Sequence, residues 1–164
     1  MGSQFYYNLT ASDGTTATAA VGQRIEVKGV TYMYCKATAA TIAAYAVCSG
    51  ATPAVMKEAT TTTATALGTA GGFVAIPQFA VAASEYFWAP TGPFYLREDG
   101  STTFKVLAAN VTAGNLLYST ATAGVLDDDS SGSTIPVIGL VLTETVTTQE
   151  AADCVAFRQL GWLK

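Results

Sequence analysis

Several chemistries can be sought in this sequence by residue type and spacing. Glu85, ahead of Tyr86-Phe87-Trp88, is the acid whose apolar neighbours would raise its pKa most, and Glu98 or Asp99 is its nearest acidic partner in sequence. A glycosidase needs two carboxyl groups about 5–9.5 Å apart across a cleft. No spacing here sets that distance, and aromatics beside a lone acid read instead as a strand with one solvent-facing position. The run Asp127-Asp128-Asp129, followed by Ser130-Ser131-Gly132-Ser133, offers oxygen ligands. An EF-type calcium loop, however, spaces its ligands and closes with a distant bidentate Glu, whereas three adjacent carboxylates repel one another into an open, solvated turn. The glycines of Gly68–Gly72 lack the following Gly-Lys-Ser/Thr and the helix pattern that would make them a phosphate cradle. Cys35, Cys48 and Cys154 are odd in number and widely spaced, which fits neither a metal site nor a disulfide framework. They read as small buried side chains, with a Cys35–Cys48 bridge left open. There is no histidine, so Ser-His-Asp and Cys-His nucleophiles, His-ligated zinc and the commonest proton shuttle are all out of reach. The expectation is a protein without catalytic residues, cofactor or metal.

Composition agrees with a packing role. The 164 residues make about one domain. Apolar residues reach 50% and charged residues only 12%, about half the usual share, and mean hydropathy is +0.33. Such a chain is too apolar and too weakly charged for intrinsic disorder. A net charge of −4 gives no electrostatic footprint for nucleic acid or anionic lipid. The longest nearly apolar run, Phe73 to Ala83, is interrupted by Pro77 and Gln78 and is too short to cross a bilayer. The start has neither a basic nor an apolar signal-peptide region, and Tyr6 breaks the myristoylation pattern that Gly2 suggests. A soluble protein without nucleic-acid or membrane partners is expected.

Ala and Thr are the commonest residues. Thr favours strands, and Ala allows sheets to approach closely. Residues 1–20 read as an extended arm led by Phe5, Tyr6 and Tyr7, and residues 21–164 as one β-barrel-like domain. Arg24 to Val27 alternates polar and apolar and should pair with Thr31–Lys36 as a hairpin. Ala37–Ala46 is ambiguous between a short helix and extended chain. Val47-Cys48 should end in a turn at Ser49-Gly50, and Val55–Leu67 reads as extended chain with loop. Further strands are expected at Phe73–Ile76, at Glu85–Ala89 closed by Pro90, at Phe94–Arg97 and at Thr102–Leu107. The last three are Leu116–Tyr118, Ile135–Thr143 and Cys154–Leu160. Gly and Pro punctuate at about the 8–12-residue spacing of an all-β barrel or sandwich.

The chain also resembles itself. Lys36 to Val47 compares with Lys105 to Leu116, and Gly72-Phe73-Val74-Ala75 with Gly139-Leu140-Val141-Leu142. Two similar β units, roughly 30–95 and 100–160, are expected to share one core, because each half alone is small. The predicted fold class is therefore all-β: a compact barrel or sandwich of two similar units, with at most one short helix and an N-terminal arm.

Val21-Gly22-Gln23-Arg24 to Gly29, followed by Tyr32 to Ala37, resembles the opening of the small head decoration (capsid cement) proteins of tailed bacteriophages. Gly71 to Ala75 with Ala82 to Trp88, the hairpin Thr91-Gly92-Pro93-Phe94, Val106 to Leu117, Gly124 to Asp127 and Pro136 to Val141 are similar to later stretches of the same family. Phe87 stands where that family usually has Gly. The resemblance implies a β-rich virion protein, made in the host cytoplasm and bound to the outer face of the major capsid protein lattice. Closed rings would match local lattice symmetry, a trimer ahead of a dimer. Phe5, Tyr6, Tyr7 and the C-terminal Trp162 are the expected capsid or subunit contacts. The alternatives are a carbohydrate-binding β module for host adhesion, which would expose coplanar aromatics, and a small hydrolase built on Glu85.

Overall fold

The computed structural model describes residues 7–28, 30–38, 40–59, 73–91, 104–129 and 136–156. Phe5, Tyr6, Trp162, Glu98, Asp99, the Gly68–Gly72 turn and the strand expected at Phe94–Arg97 lie outside them. The chain is all-β, as its β-branched, Gly- and Pro-punctuated sequence predicts. Its strands are β1 (Arg24–Val27), β2 (Val30–Lys36), β3 (Cys48–Gly50), β4 (Lys57–Glu58), β5 (Phe73–Ala75), β6 (Tyr86–Pro90), β7 (Phe104–Ala108), β8 (Leu116–Ser119), β9 (Leu126–Asp127), β10 (Pro136–Leu142) and β11 (Glu150–Ala156). A 3-10 turn at Pro53–Val55 is the helical element among the described residues.

The predicted hairpin forms, with Val27 paired to Val30 and Arg24 to Met33. Its tight connection starts at Lys28 with φ 51°, the sign that two-residue hairpin turns require. Ala37–Ala46 is not helical. Its main chain finds partners in distant segments instead, through isolated bridges: Ala37 bridges Met56, and Ile42 and Val81 exchange both N–H···O bonds at 2.9 Å. Ser49-Gly50 does not turn either. Both residues belong to β3, paired with β4 and β5. Pro90 lies within β6 opposite Tyr32; as a strand-end residue it forfeits no interior donor, and its carbonyl accepts from Ile76 N–H at 3.0 Å. β11 begins at Glu150, ahead of the expected Cys154.

The two units are the same ring of five strands. In the second, β7 pairs β11, β11 pairs β10, β10 pairs β8, β8 pairs β9, and β9 returns to β7 through the parallel pair Ala108↔Leu126, closing a barrel. In the first, β2 pairs β6, the bridge Ala75↔Thr91 joins β6 to β5, β5 pairs β3 and β3 pairs β4. The parallel bridge Ala37↔Met56 then returns to β2. Finer details repeat as well. Ile42↔Val81 matches Val111↔Val146. Ala46 N–H closes a turn on Ala43 O as Asn115 N–H does on Thr112 O, with Tyr45 (φ 66°) and Gly114 (φ 83°) in the same left-handed position. Val55 N–H bonds Thr52 O as Val125 N–H bonds Thr122 O, and Tyr45 N–H bonds Pro77 O as Gly114 N–H bonds Leu142 O.

These equivalences confirm the sequence comparison from Ile42 to Val47. They shift it within β2, where the ring places Tyr34, and not Lys36, at the position of Lys105. They also shift the second comparison by two residues, since Ile76, and not Val74, stands at the position of Val141.

One shared core is corrected to two. Met33, Cys35, Ile42, Cys48, Met56 and Phe87 fill the first ring, while Phe104, Val106, Leu117, Leu126, Leu142 and Cys154 fill the second. Each ring closes on its own inward side chains. Val47, Ala59 and Ile76 point the other way from the first ring and join the second core, which makes the seam. Main-chain bonds stitch it: Val47 N–H to Gly124 O, Gly124 N–H to Ala59 O, and Leu107 N–H to Tyr45 O, at 2.8–2.9 Å. The amide side chain of Gln78 adds a reciprocal pair with the main chain of Lys105, donating at 2.9 Å and accepting at 2.8 Å.

Candidate functional site

Among the described residues, polar and aromatic groups converge on the outside of the first barrel. Met33, Cys35, Phe87 and Ala89 face inward, so the alternation of a strand sends Tyr34, Trp88 and Tyr86 outward. Tyr34 and Trp88 are directly opposite across β2 and β6, with ring centroids 4.9 Å apart at 44°. Tyr34 and Tyr86 stack at 5.9 Å and 14°. The Lys36 ammonium sits 5.0 Å from the Tyr86 ring centre, within cation–π range.

Outward-facing aromatics on an uncovered sheet would be exposed, yet Tyr34 is 0% and Trp88 1% exposed. The segment ahead of β1 covers them. Asp13 N–H donates to Tyr86 O at 2.8 Å, Tyr86 N–H to Gly14 O at 2.9 Å, and Gly22 N–H to Tyr34 O at 2.8 Å. The Tyr34 hydroxyl donates to the Asp13 carboxylate at 2.8 Å and accepts from Thr18 N–H at 3.0 Å. The Thr18 hydroxyl also bonds Asp13. Burial pushes the Tyr34 phenol above its ordinary value, opposed by the Thr18 hydrogen bonds, so it remains the neutral donor that Asp13 requires. Tyr7, 37% exposed, meets the Trp88 ring edge-on at 5.1 Å. Of the four expected contact residues it is the one described, and it packs on its own chain.

Of the acids singled out from sequence, Glu85 and Asp128 serve the fold. Glu85 accepts from Ser12 Oγ at 2.6 Å and from Ala82 N–H at 3.2 Å, bracing the arm and a turn. Asp128 accepts from Thr112 N–H at 2.9 Å and Asn115 Nδ2 at 2.8 Å, and these bonds hold its carboxyl below the usual range. In the first barrel Glu58 caps the equivalent turn, accepting from Ala43 N–H at 2.7 Å. The acidic run thus contributes one turn cap, a role that spacing alone does not reveal. Asp127 shifts upward through burial. All three cysteines are free, buried thiols, and Cys35 and Cys48 share a core without pairing. Among the described residues no three His, Cys, Asp or Glu side chains gather to hold a metal, and no helix is long and apolar enough to cross a membrane.

Sequence reasoning singled out Tyr86-Phe87-Trp88 but missed Tyr34 as the hub and Asp13 and Thr18 as its anchors. The alternation of Tyr32, Tyr34 and Lys36 was the one usable signal; the cross-strand register that puts Tyr34 on Trp88 left no local trace. No protein-family model matches this chain, and neither does any curated protein or any solved structure.

Proposed function

We propose that this protein is a non-enzymatic virion component that binds the outer face of a major capsid lattice and stabilises the head. The observation that carries the reading is where the resemblance residues fall. Tyr32–Ala37 and Tyr86–Trp88, far apart in sequence, are the paired strands at the centre of the first barrel, and Val106–Leu117 and Pro136–Val141 build the second. The stretches that look like a cement protein thus form one coherent scaffold. Among the described residues, Glu85, Asp128, Tyr34, Tyr86 and Trp88 are engaged in packing, capping and bracing. Trp88 and Tyr34 lie under the arm, whereas a glycan platform needs them open.

The mechanism is linkage. A protein that binds the assembled shell, and not its separated subunits, adds RT ln(1 + [L]/Kd) per site, about 2.7 kcal/mol at a hundredfold excess over Kd. Weak individual contacts repeated over a lattice therefore raise its resistance to pressure from within.

The test is to mix purified protein with shells that lack it. Saturable, stoichiometric binding with a raised shell melting temperature is expected. Glycan binding without shell binding, or no binding to shells, overturns the reading.

A further inference from the structure

The duplicated ring allows the two barrels to be compared position by position. Four apolar side chains, treated oppositely in the two rings, lie at or beside the surfaces that form the seam. Val47, in the first barrel, is 0% exposed and packed into the second core. Its counterpart in the second barrel is Leu116, placed by the equivalent turns Ala43–Ala46 and Thr112–Asn115, and it is 45% exposed. Conversely, Val125 of the second barrel is 3% exposed and follows Gly124, whose main chain bonds Ala59 and Val47. Its counterpart in the first barrel, placed by the equivalent bonds to Thr52 and Thr122, is Val55, also 45% exposed.

These two are the most exposed of the large apolar side chains described, and singly exposed residues normally need no explanation. Here each is the missing half of an interface that the chain already makes once. The Leu116 surface is also apolar beyond one residue: Val141, half-buried, pairs with Leu116 across β8 and β10 and stands where the seam residue Ile76 stands in the first barrel. At the other end Val21, 37% exposed, is adjacent to Gly22, which approaches Pro53 beside Val55.

The seam is heterologous, because different faces of the two barrels meet in it. An interface of that kind leaves one unmatched face at each end of a chain, and copies joined through it form a closed ring when the rotation closes. We propose that the protein self-associates head to tail, the Leu116 face of one copy seating on the Val55 face of the next in the manner of its internal seam. The occupant of each face is a second copy of this chain, and continuity with the internal seam is the reason. A contact that paired the Leu116 face only with another Leu116 face would leave the Val55 face uncovered; the seam-like contact covers both.

The inference goes beyond the proposed virion role, and its test uses the protein alone. Wild type, Leu116→Asp and Val55→Asp are compared by analytical ultracentrifugation across a wide concentration range, with folding of each checked by its thermal melt. Leu116→Ser and Val55→Ser serve in the same way if an aspartate variant does not fold. Wild type is expected to sediment as a closed oligomer and each variant as a monomer, with association weakened by at least about tenfold. An equimolar mixture of the two variants retains one wild-type junction, Leu116 from one partner and Val55 from the other, so it should form a heterodimer and nothing larger. A monomeric wild type, a mixture that stays monomeric, or variants that assemble like wild type would each overturn the proposal. Failure to bind capsids leaves this result unaffected.

Discussion

Gly124→Ala tests the seam directly. Gly124 has φ +73°, and a Cβ built on it would lie 2.6 Å from the Ala46 Cβ and 3.3 Å from the Ala46 Cα. Two costs follow. Holding an L-residue left-handed costs about 1–2 kcal/mol, and overpacking a site whose neighbour is short and tied to the main chain costs about 1–3 kcal/mol more. Ala46 cannot rotate away, and Val47, the next residue, is bonded to the Gly124 carbonyl. The sum is about 2–5 kcal/mol. Gly114→Ala is the internal control, because Gly114 has φ +83° but nothing within 4 Å of the place a Cβ would take, so only the first cost applies. The difference between the two variants, about 1–3 kcal/mol, is measured by urea denaturation of both against wild type. At roughly 2–4 °C per kcal/mol for a chain of this size, it also separates their melting temperatures. Ala46→Gly should restore the overpacking part of the loss in a Gly124→Ala background, leaving the backbone cost, and should restore little in a Gly114→Ala background. Equal destabilisation of the two glycine variants, or no rescue by Ala46→Gly, would refute the steric reasoning.

Three further outcomes follow from the geometry. Tyr34→Phe removes the hydroxyl that ties Asp13 and Thr18 to β2 while keeping the ring stack; a loss of about 1–2 kcal/mol is expected, with faster amide exchange at residues 13–18 seen by mass spectrometry, and unchanged exchange there would contradict the anchoring role. Asp128 has its carboxyl depressed by the Thr112 and Asn115 bonds, so its stabilisation is present above the ordinary carboxylate pKa and is lost as pH falls through the lower folded value. Asp128→Asn should therefore lower stability near neutrality and flatten the acid limb of a midpoint-against-pH curve, and an unchanged limb would count against the cap. Burial pushes the Cys35, Cys48 and Cys154 thiols well above their ordinary value, which leaves no reactive thiolate. A thiol reagent at mildly alkaline pH should label them only after denaturant is added, and rapid labelling of native protein would show that the cores open.

The comparison of the barrels also shows how duplication lets one half change. The cross-strand pair Tyr34↔Trp88 of the first barrel corresponds to Lys105↔Asp153 in the second. The first pair lies under the arm and is buried. The second faces water and is an exposed ion pair at 3.1 Å, a kind of contact that adds little to stability. The same backbone position carries aromatic packing where another segment covers it and charge where none does.

Much of the architecture was legible in local residue pattern. Arg24–Lys36 reads as a hairpin because alternation and a tight turn are short-range properties. The strands around Phe104, Leu116 and Pro136 appear where β-branched and aromatic runs meet Gly or Pro. Ala37–Ala46 was not legible, since its conformation comes from Val81 and Met56, distant residues that supply its hydrogen bonds. The repeat was visible only where both units keep the same turn, around Tyr45 and Gly114, and slipped in β2 because Ala-rich sequence aligns as well in one register as in another.

By itself, the sequence decided the strand class, the absence of histidine chemistry and the presence of two related halves, because composition and period-two alternation act residue by residue. The tertiary structure decided ring closure, the seam and the burial of Tyr34 and Trp88. Alternation assigns a side chain to one of two faces, but which element covers that face depends on pairings between residues far apart in the chain. Leu116 and Val47 occupy the same position of the same ring, and only the neighbour beyond it makes one exposed and the other buried.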